Sequence, residues 1–199
     1  MLKVGLTGSI AVGKSYVCGI FRELGAFVLD ADDTAREVVA PDTRGWQLII
    51  QSFGSNILLP NNEIDRAKLG AVVFADEKKR QLLNSIVHPL VIENQDAWLR
   101  EKEAESPDGL AIIDAALMIE SGSYRRFEKI IVVWCDAETQ LRRLMSRNNL
   151  SEHEALQRIN AQMPQEEKKR FADYTINTTD GFESARRQTI EVFERLKLL

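Results

Sequence analysis

The residues best equipped for chemistry sit within the first sixteen positions. Gly8-Ser9-Ile10-Ala11-Val12-Gly13-Lys14-Ser15 fills every fixed position of the pattern Gly, four residues, Gly-Lys-Ser. Such a loop wraps phosphate. Backbone N–H groups from Ala11 to Tyr16 converge at a helix N-terminus, where aligned peptide dipoles favour negative charge. The expected cradle is Gly8, Ala11, Val12, Gly13, Lys14, Ser15 and Tyr16. Lys14 is spaced to reach the β- and γ-phosphates of a nucleotide, and the Ser15 hydroxyl to bind Mg²⁺. The loop works only if a strand enters it and a helix leaves it. Leu2-Lys3-Val4-Gly5-Leu6-Thr7 reads as a short buried strand, and Val17, Ile20, Phe21 and Leu24 recur at helical spacing. A plain strand-to-helix turn with a solvated lysine is the competing reading, and those flanks weigh against it.

Further along lie charged groups that could complete such a site. Ala26-Phe27-Val28-Leu29 reads as a second strand, ending in Asp30-Ala31-Asp32-Asp33 and a helical Thr34-Ala35-Arg36-Glu37-Val38-Val39. Ligands of open α/β sheets gather beyond the carboxyl ends of the strands, which places these aspartates on the edge of the phosphate loop. A solvated acidic turn is the alternative. Leu110-Ala111-Ile112-Ile113-Asp114 is a third strand, and Asp114 at its end is placed to serve Mg²⁺ directly or through water. Arg143 and Arg147 are four apart on a helix from Ala137 to Asn148 and share one face. Ser151-Glu152-His153-Glu154 is a capping box that starts the next helix, so Asn148-Asn149-Leu150 is a tight link. Two arginines beside such a link suit a lid that closes over a nucleotide; a solvated basic face is the alternative. His88, before Pro89, is flanked by Ile86, Val87, Leu90 and Val91. Nothing at metal or base spacing accompanies it, so a packed or capping role outweighs a chemical one.

The remaining elements must position these groups. Lys129 to Cys135 is a continuous apolar strand of the kind buried on both faces of a parallel sheet, and Tyr174-Thr175-Ile176-Asn177 is a short last strand. Phe182 to Leu199 closes the chain as a helix, with Ile190, Phe193 and Leu196 to Leu199 expected inward. Strands separated by helices predict an α/β fold with a doubly wound parallel sheet. Between Pro41 and about Ser106 there is little strand pattern. Helical runs at Trp46–Ile50 and Leu69–Phe74 precede an amphipathic stretch from Asp76 to Glu105, which Pro89 should break. The 199 residues thus read as one domain. Its core is 1–40, 107–137 and 172–199, with a helical insertion for a second substrate at 41–106 and a lid at 138–171.

A net charge of −4 argues against nucleic acid as a partner. No apolar run approaches the roughly 18 residues of a membrane span. The two cysteines, Cys18 and Cys135, read as buried thiols, and a cytoplasmic monomer or weak homo-oligomer is expected.

Five stretches together resemble the dephospho-coenzyme A kinase family over nearly the whole chain. They are Gly5-Leu6-Thr7-Gly8 with the loop, Asp30-Ala31-Asp32-Asp33-Thr34-Ala35-Arg36, His88-Pro89-Leu90, Asp114 to Glu120, and the run from Gln140-Leu141-Arg142-Arg143 through Arg147 and Gln162-Met163-Pro164 to Ala172-Asp173-Tyr174. The resemblance implies transfer of the ATP γ-phosphate to the ribose 3′-hydroxyl of dephospho-coenzyme A. It makes Asp32 the base at the acceptor hydroxyl, Arg36 its acceptor-side neighbour, and Arg143 and Arg147 the lid arginines. His88 lies in a stretch the family shares, and is carried as a substrate-binding candidate on that ground. The chain departs from the pattern at Ser9, Ala11 and Val12, where Gly, Gly and Ser are usual. The backbone donors survive those changes provided no position needs a positive φ. Ala116 replaces a usual proline, and Thr178-Thr179-Asp180-Gly181 replaces Asn-Ser-Gly near the expected adenine. The nearest rival is another small P-loop kinase, acting on a nucleoside monophosphate or a shikimate-like acceptor. A nucleotide switch is opposed by the lack of Asn-Lys-x-Asp and of Asp-x-x-Gly after Asp114.

Overall fold

The computed structural model describes all residues, Met1–Leu199. The chain divides into two compact units, residues 1–29 with 101–199, and residues 30–100. In chain order the elements are β1 (Leu2–Thr7), α1 (Lys14–Glu23), β2 (Phe27–Asp30), α2 (Ala31–Glu37), α3 (Arg44–Phe53), α4 (Arg66–Phe74) and α5 (Glu77–Glu105). Then follow β3 (Leu110–Asp114), β4 (Lys129–Trp134), α6 (Ala137–Asn148), α7 (Glu152–Asn160), α8 (Gln165–Lys169), β5 (Tyr174–Asn177) and α9 (Gly181–Leu196).

The sheet order is β2-β3-β1-β4-β5, with β1 parallel to both β3 and β4, and β4 parallel to β5. This is the doubly wound α/β sheet expected from strands alternating with helices. Val4 and Leu6 are wholly buried on β1, as are Ile112 on β3 and Ile131 and Val133 on β4. Apolar side chains on both faces explain why these runs lack alternation. α1 and α9 cover one face, where Val17, Phe21, Val192, Phe193 and Leu196 join the strand residues in one cluster. Phe21 is 0 % exposed there, and truncating it to alanine would cost about 3–5 kcal/mol. α9 ends at Leu196, and Leu198 and Leu199 are exposed at 86 % and 71 %. The inward stripe therefore stops short of the expected terminus, because the helix has run past the sheet's apolar cover.

The second unit is helical, around a small cluster of Ile49, Ile57, Leu69 and Val73, with Leu83, Ile86 and Val87 packed against it. Pro89 does not break α5, contrary to expectation. Its missing N–H leaves the Ser85 carbonyl without a helical donor, at a cost of about 3 kcal/mol. The stripe Leu83, Ile86, Val87, Leu90 keeps helical spacing through that point, and burial of this face offsets the loss. His88 is exposed in mid-helix, so it is neither packed nor a cap.

No helix is long and apolar enough to cross a membrane.

Candidate active site

The phosphate loop joins β1 to α1, and its geometry answers the condition set by the sequence. Gly13 has φ 89° and caps α1 without any side-chain hydrogen bond, so the first helical amides remain available to a ligand. A Cβ on Gly8 would lie 2.5 Å from the Val133 carbonyl oxygen, so only glycine lets the loop pass over β4. Ala11 adopts φ 63°. A positive φ is needed there after all, and the methyl group costs on the order of 1 kcal/mol that glycine would not. Val12 is wholly buried in the sheet cluster, and its carbonyl accepts from Thr178 Oγ1 at 2.6 Å. Ser9 is 5 % exposed, and its Oγ has no hydrogen-bond partner.

Lys14 and Asp114, a hundred residues apart, meet beside this loop. The parallel register sets Leu6 opposite Asp114, which brings the end of β3 to the start of α1. Lys14 Nζ pairs with Asp114 Oδ1, and only 4 % of the aspartate side chain is exposed. Asp114 Oδ2 accepts from Cys18 Sγ at 3.3 Å. Cys18 reaches it because it follows Lys14 by four residues on one helix face. Burial and then the Asp114 charge push the Cys18 thiol far above its ordinary range, so it stays a neutral donor. Ser15 is exposed at the head of α1.

A cavity of about 550 Å³ opens beside the loop, lined by Ala11, Gly13 and Tyr16, by Arg143 and Arg147 of α6, and by Thr178 and Phe182. Arg143 donates to Thr178 Oγ1 and to the Thr178 carbonyl, both at 2.8 Å. Arg147 is exposed, and its Nε donates to the neighbouring Asn148 Oδ1 at 2.9 Å. The two arginines share a helix face yet differ in kind: one braces the end of β5, and the other carries its charge into solvent. Tyr16 and Phe182 pack at an interplanar angle of 60° with ring centroids 4.7 Å apart, giving the cavity an aromatic wall.

Asp32 and Arg36 lie in the helical unit. Asp30 caps α2 through its side chain, accepting from the amides of Asp32 and Asp33. Arg36 pairs with Asp33 at 2.7 Å, and Asp32 is exposed. Within this unit a second cavity of about 550 Å³ is lined by Asp32 and Arg36, by Arg66, and by apolar Val39, Ile64, Leu69 and Val87. His88 is not among its lining residues.

Lys168 escaped the sequence reading, and Thr178 entered it only as a departure near the expected adenine. Lys168 is 0 % exposed, donating to the Ala116 carbonyl at 2.7 Å and paired with Glu120 at 2.8 Å. Its burial depends on contacts across 48 to 52 residues, which no local pattern announces.

Comparison with known proteins adds the following. The family model described as dephospho-CoA kinase matches residues 2–183. A protein of Geobacillus kaustophilus named dephospho-CoA kinase is 46 % identical, over 98 % of this chain and 96 % of its own. Among solved structures, a Thermus thermophilus protein superposes with TM-score 0.82 at 28 % identity, covering 98 % of this chain and 96 % of that one. The dephospho-CoA kinase of Campylobacter jejuni superposes with TM-score 0.72 at 28 % identity, with the same coverage.

Proposed function

The chain belongs to the dephospho-CoA kinase family and phosphorylates dephospho-CoA at the expense of ATP; from that premise we propose how its residues divide the reaction. The observation that carries the proposal is the uncapped head of α1 with the Lys14 ammonium held beside it by Asp114. The loop amides and Lys14 bind the β- and γ-phosphates. Residues 138–171 act as a lid whose Arg147 meets the charge that develops on the transferring group, while Arg143 sets the lid helix against Thr178. The cavity between Tyr16, Phe182 and Thr178 receives the nucleotide base.

The acceptor belongs to the helical part, 41–106 with the preceding α2. Its cavity combines an apolar interior with Arg36 and Arg66, which suits a long, partly apolar acceptor carrying phosphates. Asp32 orients the ribose 3′-hydroxyl and accepts its proton. The 3′-oxygen forms a bond to the γ-phosphorus, the bond to the β–γ bridging oxygen breaks, and ADP leaves. Because this transition state is loose, alignment and charge neutralisation supply most of the acceleration.

The residues present fit Mg²⁺ of the kind that relies chiefly on substrate phosphates and water. No group of three His, Cys, Asp or Glu gathers as a closed metal cage, and such an ion needs only one or two protein oxygens. Ser15 would offer its hydroxyl. Both Asp114 oxygens already have partners, which fits Asp114 through water better than directly. When bound, the ion would supply positive charge that offsets the charge of the nucleotide phosphates. The cytoplasm is the proposed place of work.

A coupled ADP-release assay tests the assignment by comparing dephospho-CoA with nucleoside monophosphates and shikimate. Turnover dependent on dephospho-CoA alone supports it. Equal or faster turnover with another acceptor overturns it.

A further inference from the structure

Two glutamines from the segment 138–171, one of them backed by a third, close on the two peptide groups that flank Ile10 in the phosphate loop. The Ile10 N–H donates to Gln162 Oε1 at 2.8 Å, and the Ile10 carbonyl accepts from Gln140 Nε2 at 2.9 Å. Gln140 Oε1 in turn accepts from Gln165 Nε2 at 2.7 Å, and Gln165 Oε1 accepts from the Cys135 amide at 3.1 Å. The polarity of this relay is fixed at both ends by backbone. A carbonyl at Ile10 demands an NH₂ from Gln140, an amide at Cys135 demands an oxygen from Gln165, and the two remaining groups then match each other. The Ile10 amide likewise demands the oxygen of Gln162. Gln140 is 2 % exposed, so its bonds form away from competing water.

We propose that Gln140, Gln162 and, through Gln140, Gln165 are positioning residues for phosphoryl transfer, clamping the peptides on either side of Ile10 and thereby setting the phosphate loop for the γ-phosphate. The clamp sits one residue before Ala11, whose φ of 63° must be held against its own preference. With the N–H and the carbonyl of Ile10 both engaged, the loop cannot relax by turning either the Ser9–Ile10 or the Ile10–Ala11 peptide. The amides that follow, from Ala11 onward, keep their inward orientation. The three glutamines come from different places on the lid segment: within α6, in the link after α7, and at the first turn of α8. Displacing any of these elements is therefore felt at the loop. The same stretch is anchored on its far side, where the Met163 amide donates to Glu120 at 3.2 Å and Lys168 bonds the Ala116 carbonyl. The residues after Asp114 and the phosphate loop thus share one support.

The inference rests on the reading that the loop holds ATP and that 138–171 is the lid. The test exploits polarity, using Gln140→Glu, Gln162→Glu and the apolar Gln140→Met and Gln162→Met. Each variant is measured for kcat, for KM of ATP and of dephospho-CoA, and for Tm. Gln162→Met removes the acceptor for Ile10 N–H and should lower kcat about tenfold, a loss of the size expected for one well-placed hydrogen bond, with the KM of dephospho-CoA unchanged. Gln162→Glu restores an acceptor oxygen and should recover most of that loss. Gln140→Glu sets a carboxylate against the Ile10 carbonyl and should lower kcat at least as much as Gln140→Met, with no recovery. Opposite responses to the same amide-to-acid change support the clamp. Equal responses at the two positions, or kcat losses that vanish once the folded fraction given by Tm is accounted for, overturn it. Wild-type protein run alongside separates the two claims. Absence of its dephospho-CoA-dependent ADP release rejects the underlying reading, whereas normal release with no polarity effect rejects the clamp alone.

Discussion

The phosphate loop and the helical unit use polar groups in opposite ways. Around the loop the functional side chains and their support are held: Lys14 by Asp114, Asp114 also by Cys18, the peptides on either side of Ile10 by two glutamines, and Thr178 between Val12 and Arg143. In residues 30–100 the corresponding charges, Asp32 and Arg36, stand exposed at the rim of an apolar cavity. A group that must meet charge developing over fractions of an ångström gains from being preorganised. A surface that must admit a long acceptor gains from apolar walls and mobile rim charges. The two designs predict different responses to substitution.

The largest effect is expected at Asp32. Asp32→Asn keeps the size and one acceptor oxygen but loses the charge. Turnover should fall roughly 10²–10⁴-fold with ATP affinity little changed. Single-turnover transfer at saturating ATP across a Mg²⁺ series checks this, with Asp30→Asn and Asp33→Asn alongside. Asp30 caps α2 and Asp33 pairs with Arg36, so neither should match Asp32 in cost. Rescue by added Mg²⁺ would make Asp32 a metal-affinity residue instead.

Next is Lys14→Ala, which should lower kcat by on the order of 10²-fold while ATP affinity also drops, since the ammonium serves ground state and transition state together. Near-normal turnover would remove the loop from the chemistry. Smaller still is the split between the arginines. Arg147→Ala should reduce kcat about tenfold with Tm unchanged, because its charge is free of the fold. Arg147→Lys should recover only part, for lack of the planar fork. Arg143→Ala should lower Tm as well, because the Thr178 bonds are lost; equal Tm for the two alanine variants would erase the distinction. The smallest effect is at Ala11. Ala11→Gly should stabilise by up to about 1 kcal/mol, seen as a Tm gain of roughly 2–4 °C. A fall in Tm would mean that φ 63° costs the chain nothing.

What could be read in the sequence divides along the same line. The loop was legible because its fixed spacing, entering strand and leaving helix are local features. α6 and β5 were legible for the same reason, and Ala137–Asn148 and Tyr174–Asn177 are observed with the bounds that periodicity predicts. The capping box at Ser151 and Glu154 is present in full. Pro89 misled because a local penalty was outweighed by packing of the stripe on either side. Leu198 and Leu199 misled because periodicity shows which face is apolar, not where the partner surface ends. The pairing of Lys14 with Asp114, the burial of Lys168 and the engagement of two glutamines with Ile10 needed the fold. Each joins residues between about 50 and 150 apart, and polar side chains carry no sign in the sequence of which backbone group they will meet. Ala11 was half legible: the departure from glycine was visible, but its φ was not.

The contrast between the two regions is tested most directly by amide hydrogen exchange with each substrate added separately. A non-hydrolysable ATP analogue should slow exchange in residues 8–17, 140–148 and 178–183, and leave the helical unit near its free rates. Dephospho-CoA alone should slow exchange around α2 and in residues 64–69 and 83–87, whose side chains line the second cavity. Protection by dephospho-CoA confined to the phosphate loop, with residues 30–100 unchanged, would contradict the division of labour on which this account rests.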